Sequence, residues 1–214
     1  MKESLNPIGT RFVDWVITAL SLIVIFIIWQ PWIYINTWFI VVEIINFTIV
    51  MILLRWADGY EREPVPTIVW SLLWGAFPAI TITSMFSQER FPIIVAAIIE
   101  EFSKLIGLYF VYRRGSINSA TDAFVVAGYI GTGFMLFEDF AYAANSYDPI
   151  GTLVIRGIFS AFAHALFSGI GAAIMYTLWQ RLGFSGVVVG FICAYLIHFM
   201  WNYLLSCLLY TSPS

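Results

Sequence analysis

Long apolar runs broken by short polar turns dominate the chain. Seven can be drawn, over about residues 12–29, 32–54, 67–86, 91–112, 119–143, 151–179 and 185–210. Each is close to the roughly 20 residues a helix needs to cross a bilayer. The breaks between them carry turn and charge signals. They are Gln30-Pro31, then 55–66 with Asp58-Gly59, Glu61, Arg62 and Glu63, then Ser87-Gln88-Glu89-Arg90, Arg113-Arg114-Gly115-Ser116, and 145–149 with Asp148-Pro149. Pro78 predicts a kink in the third run. The pattern predicts an all-α, polytopic membrane bundle of about seven transmembrane helices. It forms a single membrane-embedded domain over residues 1–214, with no repeat and no loop long enough to be a soluble domain. Function is therefore expected within the membrane.

Composition strengthens that picture. The chain is 61% hydrophobic and only 11% charged, with mean hydropathy +0.88, where soluble domains carry about a quarter charged residues. The net charge of −3 matters less than where the charges sit. No basic patch is present, so nucleic acid is not an expected partner. Cys193 and Cys207 lie in one predicted helix, too far apart along it to bridge. The first apolar run is longer than a signal-peptide core and lacks a small-residue cleavage site, which predicts a retained first helix. With seven spans, Lys2, Arg11, Arg55, Arg62, Arg113, Arg114 and Arg181 fall on one side of the membrane and only Arg90 on the other. The positive-inside rule then predicts a cytoplasmic N-terminus and an outer C-terminus.

The chemistry lies in polar residues inside the apolar runs. Glu100, Glu101 and Lys104 sit in the middle of the fourth. An ionised side chain at that depth costs about 3 kcal/mol or more, so it persists with a partner or a function. On a helix Lys104 is at i+4 from Glu100 and i+3 from Glu101, within reach of both. A structural ion pair needs one glutamate, and two beside one lysine leave an excess negative charge. In the fifth run Glu138 and Asp139 lie toward the outer end, at a depth that matches Arg156 in the sixth. Glu138 and Arg156 are expected to pair, with Asp139 at the interface. His164 falls near the middle of the sixth run, between Ser160 and Ser168, beside a ridge of small residues (Ala161, Ala165, Gly169 and Ala173) that permits close helix approach. A lone histidine on such a face also reads as a packing residue. His198 and Asn202 share one face of the seventh. The chain has two histidines, and both are mid-membrane.

Glu100, Glu101, His164, His198 and Asn202 are thus the candidate catalytic set, with Lys104, Glu138 and Arg156 in support. A carboxylate can take a proton from water, and histidine and asparagine can donate to a developing oxyanion. That inventory suits hydrolysis of an amide bond. Glu100, His164 and His198 also form a permitted zinc ligand set, so a site with no cofactor and a site with zinc both stand. There is no H-E-x-x-H, no G-x-S-x-G and no G-x-G-D, which argues against a site-2-type zinc protease, a rhomboid-type serine protease and an intramembrane aspartyl protease. A proton- or ion-coupled transporter is the alternative, because buried carboxylates and histidines also relay ions. Against it, these residues cluster and do not trace a path. A haem protein with His164 and His198 as axial ligands would leave the glutamate pair without a role.

Four motifs, in order, resemble a known family. Glu100-Glu101-Phe102-Ser103-Lys104 matches E-E-x-x-K. Asp122-Ala123, Gly128, Gly131-Thr132-Gly133-Phe134 and Glu138-Asp139 resemble a D-G … G-x-G-F-x-x-x-E-N block, departing from it at Ala123 and Asp139. Arg156 and His164-Ala165-Leu166-Phe167-Ser168-Gly169 resemble R … H-A-x-x-S/T-G, and His198-Phe199-Met200-Trp201-Asn202 matches H-x-x-W-N. The set, over about residues 91–203, resembles the PrsW family of membrane-embedded proteases, related to the CAAX-prenyl proteases. The resemblance implies an endopeptidase that cleaves membrane-anchored protein substrates such as anti-sigma factors, on the outer side of a bacterial inner membrane. The likeness to the CAAX proteases favours a metal-free mechanism in which a glutamate activates water. The implied partners are such a substrate and the lipid bilayer.

Overall fold

The computed structural model describes residues 37–59, 62–86, 93–160 and 162–210, together with 16 and 19. Every regular element among the described residues is helical. They are α1 (Thr37–Ala57), α2 (Val65–Trp74), a π-turn (Gly75–Ala79), α3 (Ile80–Met85), α4 (Ile93–Arg113), α5 (Ala120–Ala144), α6 (Pro149–Phe159), α7 (Ala163–Leu182) and α8 (Phe184–Tyr210). Among the described residues, five stretches, Ile40–Ala57, Val65–Met85, Ala120–Ala144, Pro149–Leu182 and Phe184–Leu205, are long and apolar enough to cross a membrane. The chain is a multi-pass, all-α membrane protein. α4 has the length, 21 residues, but holds Glu100, Glu101 and Lys104 within it. Apart from two residues, the predicted first run lies outside the described residues, as do Lys2, Arg11 and Arg90.

Local sequence explains most element ends. Ser119 caps α5: its hydroxyl accepts from Asp122 N (3.0 Å), and Asp122 Oδ2 accepts from Ser119 N (2.9 Å). This reciprocal box satisfies donors that a helix start would otherwise leave bare. Asp122, one of the motif residues, is therefore a cap. Asp148 caps α6 through Gly151 N (3.0 Å), and Pro149 opens the helix at a position that needs no N–H. The turn into α8 uses Gly183 at φ +57°, a region that favours glycine. At Pro78, where a kink is predicted, the third span widens into the π-turn Gly75–Ala79. A proline has no N–H for the i−4 carbonyl, and a wider turn accommodates that loss.

The sixth predicted run departs from expectation. It is not one helix over 151–179 but two, with Ser160 closing α6 and Phe162 preceding α7. No proline or glycine marks the place. Tertiary contacts decide it: α6 is held by Arg156 on α5, while α7 packs at backbone distance against α5 and α8. His164 consequently sits in the first turn of α7, not at mid-helix.

α5 is the centre of the bundle. Seventy-two per cent of its span is buried, against 22% for the spans in α1 and α8, so other helices cover it on most sides. Glycines set the closeness. A Cβ on Gly75 would overlap the Ile130 carbonyl, one on Gly133 the Leu72 carbonyl, and one on Gly131 the His164 carbonyl. The α2–π-turn segment and α7 therefore contact the α5 backbone directly. The α2 segment in turn holds α4: the Trp74 indole donates to Ser103 O at 3.1 Å, fixing α4 one turn from its glutamates.

Candidate active site

α4, α5, α7 and α8 each bring polar residues to one buried centre. Glu100, Glu101, Lys104, His164 and His198 are each no more than 4% exposed. Glu101 is the hub. Its Oε1 accepts from Lys104 Nζ (2.8 Å) and from His198 Nδ1 (2.9 Å), and its Oε2 accepts from the Ser168 hydroxyl (2.9 Å). Both oxygens are thus engaged. Glu100, one residue earlier, faces the other nitrogen of the same ring: its Oε2 stands 3.5 Å from His198 Nε2. Lys104 reaches past Glu101 to His164 Nδ1 at 2.9 Å and lies 4.2 Å above the Phe134 ring. Glu101, one of the two predicted carboxylate partners of Lys104, receives its hydrogen bond at 2.8 Å.

Hydrogen-bond chemistry fixes the histidine tautomers. An ammonium can only donate, so His164 Nδ1 accepts from Lys104 and His164 carries its proton on Nε2. That N–H donates to Glu138 Oε2 at 2.8 Å. His198 gives its Nδ1–H to the Glu101 carboxylate, which leaves its Nε2 lone pair directed at Glu100 when the ring is neutral. The two rings are perpendicular with centroids 5.0 Å apart, and Phe167 stacks on His198 at 5.1 Å. Aromatic packing therefore holds both rings in place.

A second charged cluster adjoins the first. Arg156 donates to Glu138 Oε2 at 2.5 Å and also to Asp139. The predicted Glu138–Arg156 pair is present. Asp139 is fully buried among the helices and held by the same arginine. Its presence at the helix interior follows from the Arg156 fork, which spans two adjacent carboxylates. Glu43 of α1 is buried beside this cluster, with Asp139 and Arg156 as the charges nearest in effect. Sequence reasoning passes over Glu43, although a lone carboxylate inside an apolar run signals it. It names Ser168 as a neighbour of His164 and a motif position, without the hydrogen bond to Glu101 that the structure gives it. Asn202, one turn beyond His198 on α8, is half-buried.

The centre also has the chemistry of a metal site. One donor atom each from Glu100, His164 and His198 lies within 4.8 Å of the other two. One carboxylate and two imidazoles are a ligand set that zinc uses in hydrolases. Glu101 on His198 and Glu138 on His164 are the outer carboxylates that orient such rings.

Fold and site together define a membrane-embedded protein with a buried carboxylate–histidine centre suited to hydrolysis. Residues 63–212 match the PrsW family, described as PrsW family intramembrane metalloprotease, and the chain belongs to that family. It is an intramembrane peptidase. No curated protein and no solved structure matches it. The matched stretch contains every element of the buried centre, while α1, with Glu43, precedes it.

Proposed function

We propose that this protein cleaves membrane-anchored protein substrates by an attack of water for which Glu100 is the base. The observation that carries this reading is the division of labour between the adjacent glutamates: Glu101 has both oxygens engaged, and Glu100 is the one turned to His198 Nε2. A water beside this pair, within hydrogen-bond reach of both Glu100 and His198 Nε2, is polarised by the two together. Glu100 takes one of its protons as its oxygen bonds to the peptide carbonyl carbon. The same carboxyl group then delivers that proton to the leaving amide nitrogen as the C–N bond breaks. Asn202 supplies an N–H to the oxyanion that forms in between. His198, in the tautomer set by Glu101, holds the water, and its N–H reaches the oxyanion side only in the doubly protonated ring. Lys104 balances the charge of the glutamate pair, and Glu138 and Arg156 hold His164.

If the centre is loaded with a metal, Glu100, His164 and His198 hold it, and a zinc ion there would acidify water and polarise the carbonyl. The positive-inside pattern supports seven spans, with the predicted first helix and α4 added to the five apolar stretches, the N-terminus in the cytoplasm and the C-terminus outside. A single domain over 1–214, a bacterial inner-membrane location and substrates of the anti-sigma-factor type belong to the same reading.

The test is cleavage of candidate membrane-anchored substrates by the reconstituted full chain, by its Glu100→Gln variant and with chelator present. Cleavage by the wild type that Glu100→Gln abolishes supports the assignment. Chelator then separates the two versions: activity lost and restored by zinc places a metal in the mechanism, and unchanged activity leaves the glutamate alone. Undiminished cleavage by both Glu100→Gln and Glu101→Gln would remove the centre from the reaction altogether.

A further inference from the structure

His164 offers no nitrogen lone pair in the arrangement described. Its Nε2 proton is committed to Glu138 at 2.8 Å, and its Nδ1 lone pair receives a Lys104 N–H at 2.9 Å. The ammonium itself is closely held. It donates to Glu101 at 2.8 Å, rests 4.2 Å over the Phe134 ring and is 2% exposed. His198 differs in just this respect: its Nδ1–H goes to Glu101 and its Nε2 is turned to Glu100. Of the two histidines among the residues whose donor atoms gather within 4.8 Å, His198 therefore turns its lone pair toward Glu100 and His164 gives its own to a lysine.

We propose that Lys104 is a built-in competitor for the third ligand position, holding His164 Nδ1 so that a zinc-type divalent cation meets only Glu100 and His198 until Lys104 lets go. The exchange is chemically balanced without any redox partner. One N–H···N hydrogen bond breaks, the freed imidazole lone pair forms a bond to the cation, and the ammonium keeps its proton. Two consequences follow from geometry. Lys104 has a second anchor in Glu101, so it can release His164 without losing its charge partner. The Lys104 charge also balances one of the two adjacent glutamates, so part of the compensation a bound cation would supply is already in place without it. In this way one residue sets whether the centre works empty or loaded. The proposal rests on Glu100, His164 and His198 being the residues that would hold the metal.

The test reads metal affinity and not cleavage, so failure of the peptidase assignment leaves it standing. Zinc alone is titrated into the purified full chain in detergent against a competing indicator, for wild type, Lys104→Met, His164→Ala and the double variant. Lys104→Met should bind zinc at least roughly tenfold tighter, the scale of effect that groups around a ligand exert. Removing positive charge anywhere nearby would also tighten binding, so the decisive reading is the coupling between the two changes. His164→Ala should barely alter the wild-type affinity but cost roughly tenfold or more in the Lys104→Met background. Lys104→Arg, which keeps the charge and the N–H donors, should behave as wild type. Lys104→Ala repeats the test should Lys104→Met fail to fold, as read by tryptophan fluorescence. An equal loss on His164→Ala in both backgrounds overturns the proposal. So does an affinity that Lys104→Met leaves unchanged, or an absence of zinc binding in every variant.

Discussion

Glu100-Glu101 with Lys104 and Glu138-Asp139 with Arg156 have the same composition: two adjacent carboxylates on one helix and a single cation. They differ in what the cation is and where it comes from. Lys104 is on the same helix as its glutamates, three residues from Glu101, and as a point charge it takes that one carboxylate. Arg156 comes from another helix, and its planar fork grips both members of its pair. The first arrangement leaves Glu100 facing a histidine. The second leaves neither carboxylate turned toward the centre except through His164. A pair of buried acids is thus a reagent or a lock according to how many of them the cation takes. His164 joins the two, with Lys104 on one nitrogen and Glu138 on the other.

The largest effect that would break this comparison is on rate. Glu100→Gln is nearly isosteric and removes the base, so cleavage should fall by three orders of magnitude or more, on the order of 4 kcal/mol of barrier. The thermal midpoint should hardly move. Asp139→Asn should do the reverse, lowering the midpoint and leaving residual cleavage per folded molecule. If the two variants lose rate and stability in the same proportion, reagent and lock are not separate, and the contrast fails.

The next effect concerns the lock. Removing one partner of a buried pair leaves the other charge uncompensated, at a cost of about 3 kcal/mol. Glu138→Gln should therefore destabilise the protein in a detergent-unfolding titration, and Arg156→Gln should do so by a similar amount. Because they share one interaction, the double variant should lose less than the sum. Additive losses would mean that the two do not act together, whatever their separation.

Much of this was legible in the sequence, for reasons that particular residues make clear. Apolar runs are long and uninterrupted, so the bounds of α4, α5 and α8 fall within a few residues of those read from hydropathy. Ionisable residues at such depth are costly, so Glu100, Glu101, Lys104, His164 and His198 stand out from the background and do meet. What could not be read is where tertiary contacts override the run. Residues 151–179 read as one apolar run with Arg156, Ser160, His164 and Ser168 inside it, and nothing local says that α6 stops at Phe159. Depth also fails to say which face a residue takes: Asp139, near the end of α5, is turned to Arg156 and fully buried. Single hydrogen bonds, such as Ser168 to Glu101, have no signature in one sequence.

A smaller effect tests how the lock reaches the reagent. A Cβ on Gly131 would overlap the His164 carbonyl, so Gly131→Ala should push the first turn of α7 outward. Overpacking of this kind costs about 1–3 kcal/mol. The displacement falls on His164 and leaves Glu100, Glu101 and His198 in place. Cleavage should drop by less than in Glu100→Gln, and Gly171→Ala, on the far part of α7 against Ala194, should cost comparable stability with less loss of rate. Equal losses of rate in the two would show that the position of His164 is immaterial.

The smallest effect is expected at Ser168. Its hydroxyl is one of three donors on Glu101, and the other two, Lys104 and His198, carry charge or sit on the reacting side. Ser168→Ala removes one hydrogen bond to a charged group, about 1.5–3 kcal/mol of stability, and leaves a carboxylate still held twice. Activity should fall by less than about tenfold, with substrate affinity unchanged, because Glu101 turns slightly and tilts His198 with it. Ser168→Thr keeps the hydroxyl and should recover most of the loss. A loss as large as that of Glu100→Gln would mean that Glu101, and not Glu100, is the carboxylate whose orientation the reaction depends on, and the roles of the adjacent pair would have to be exchanged.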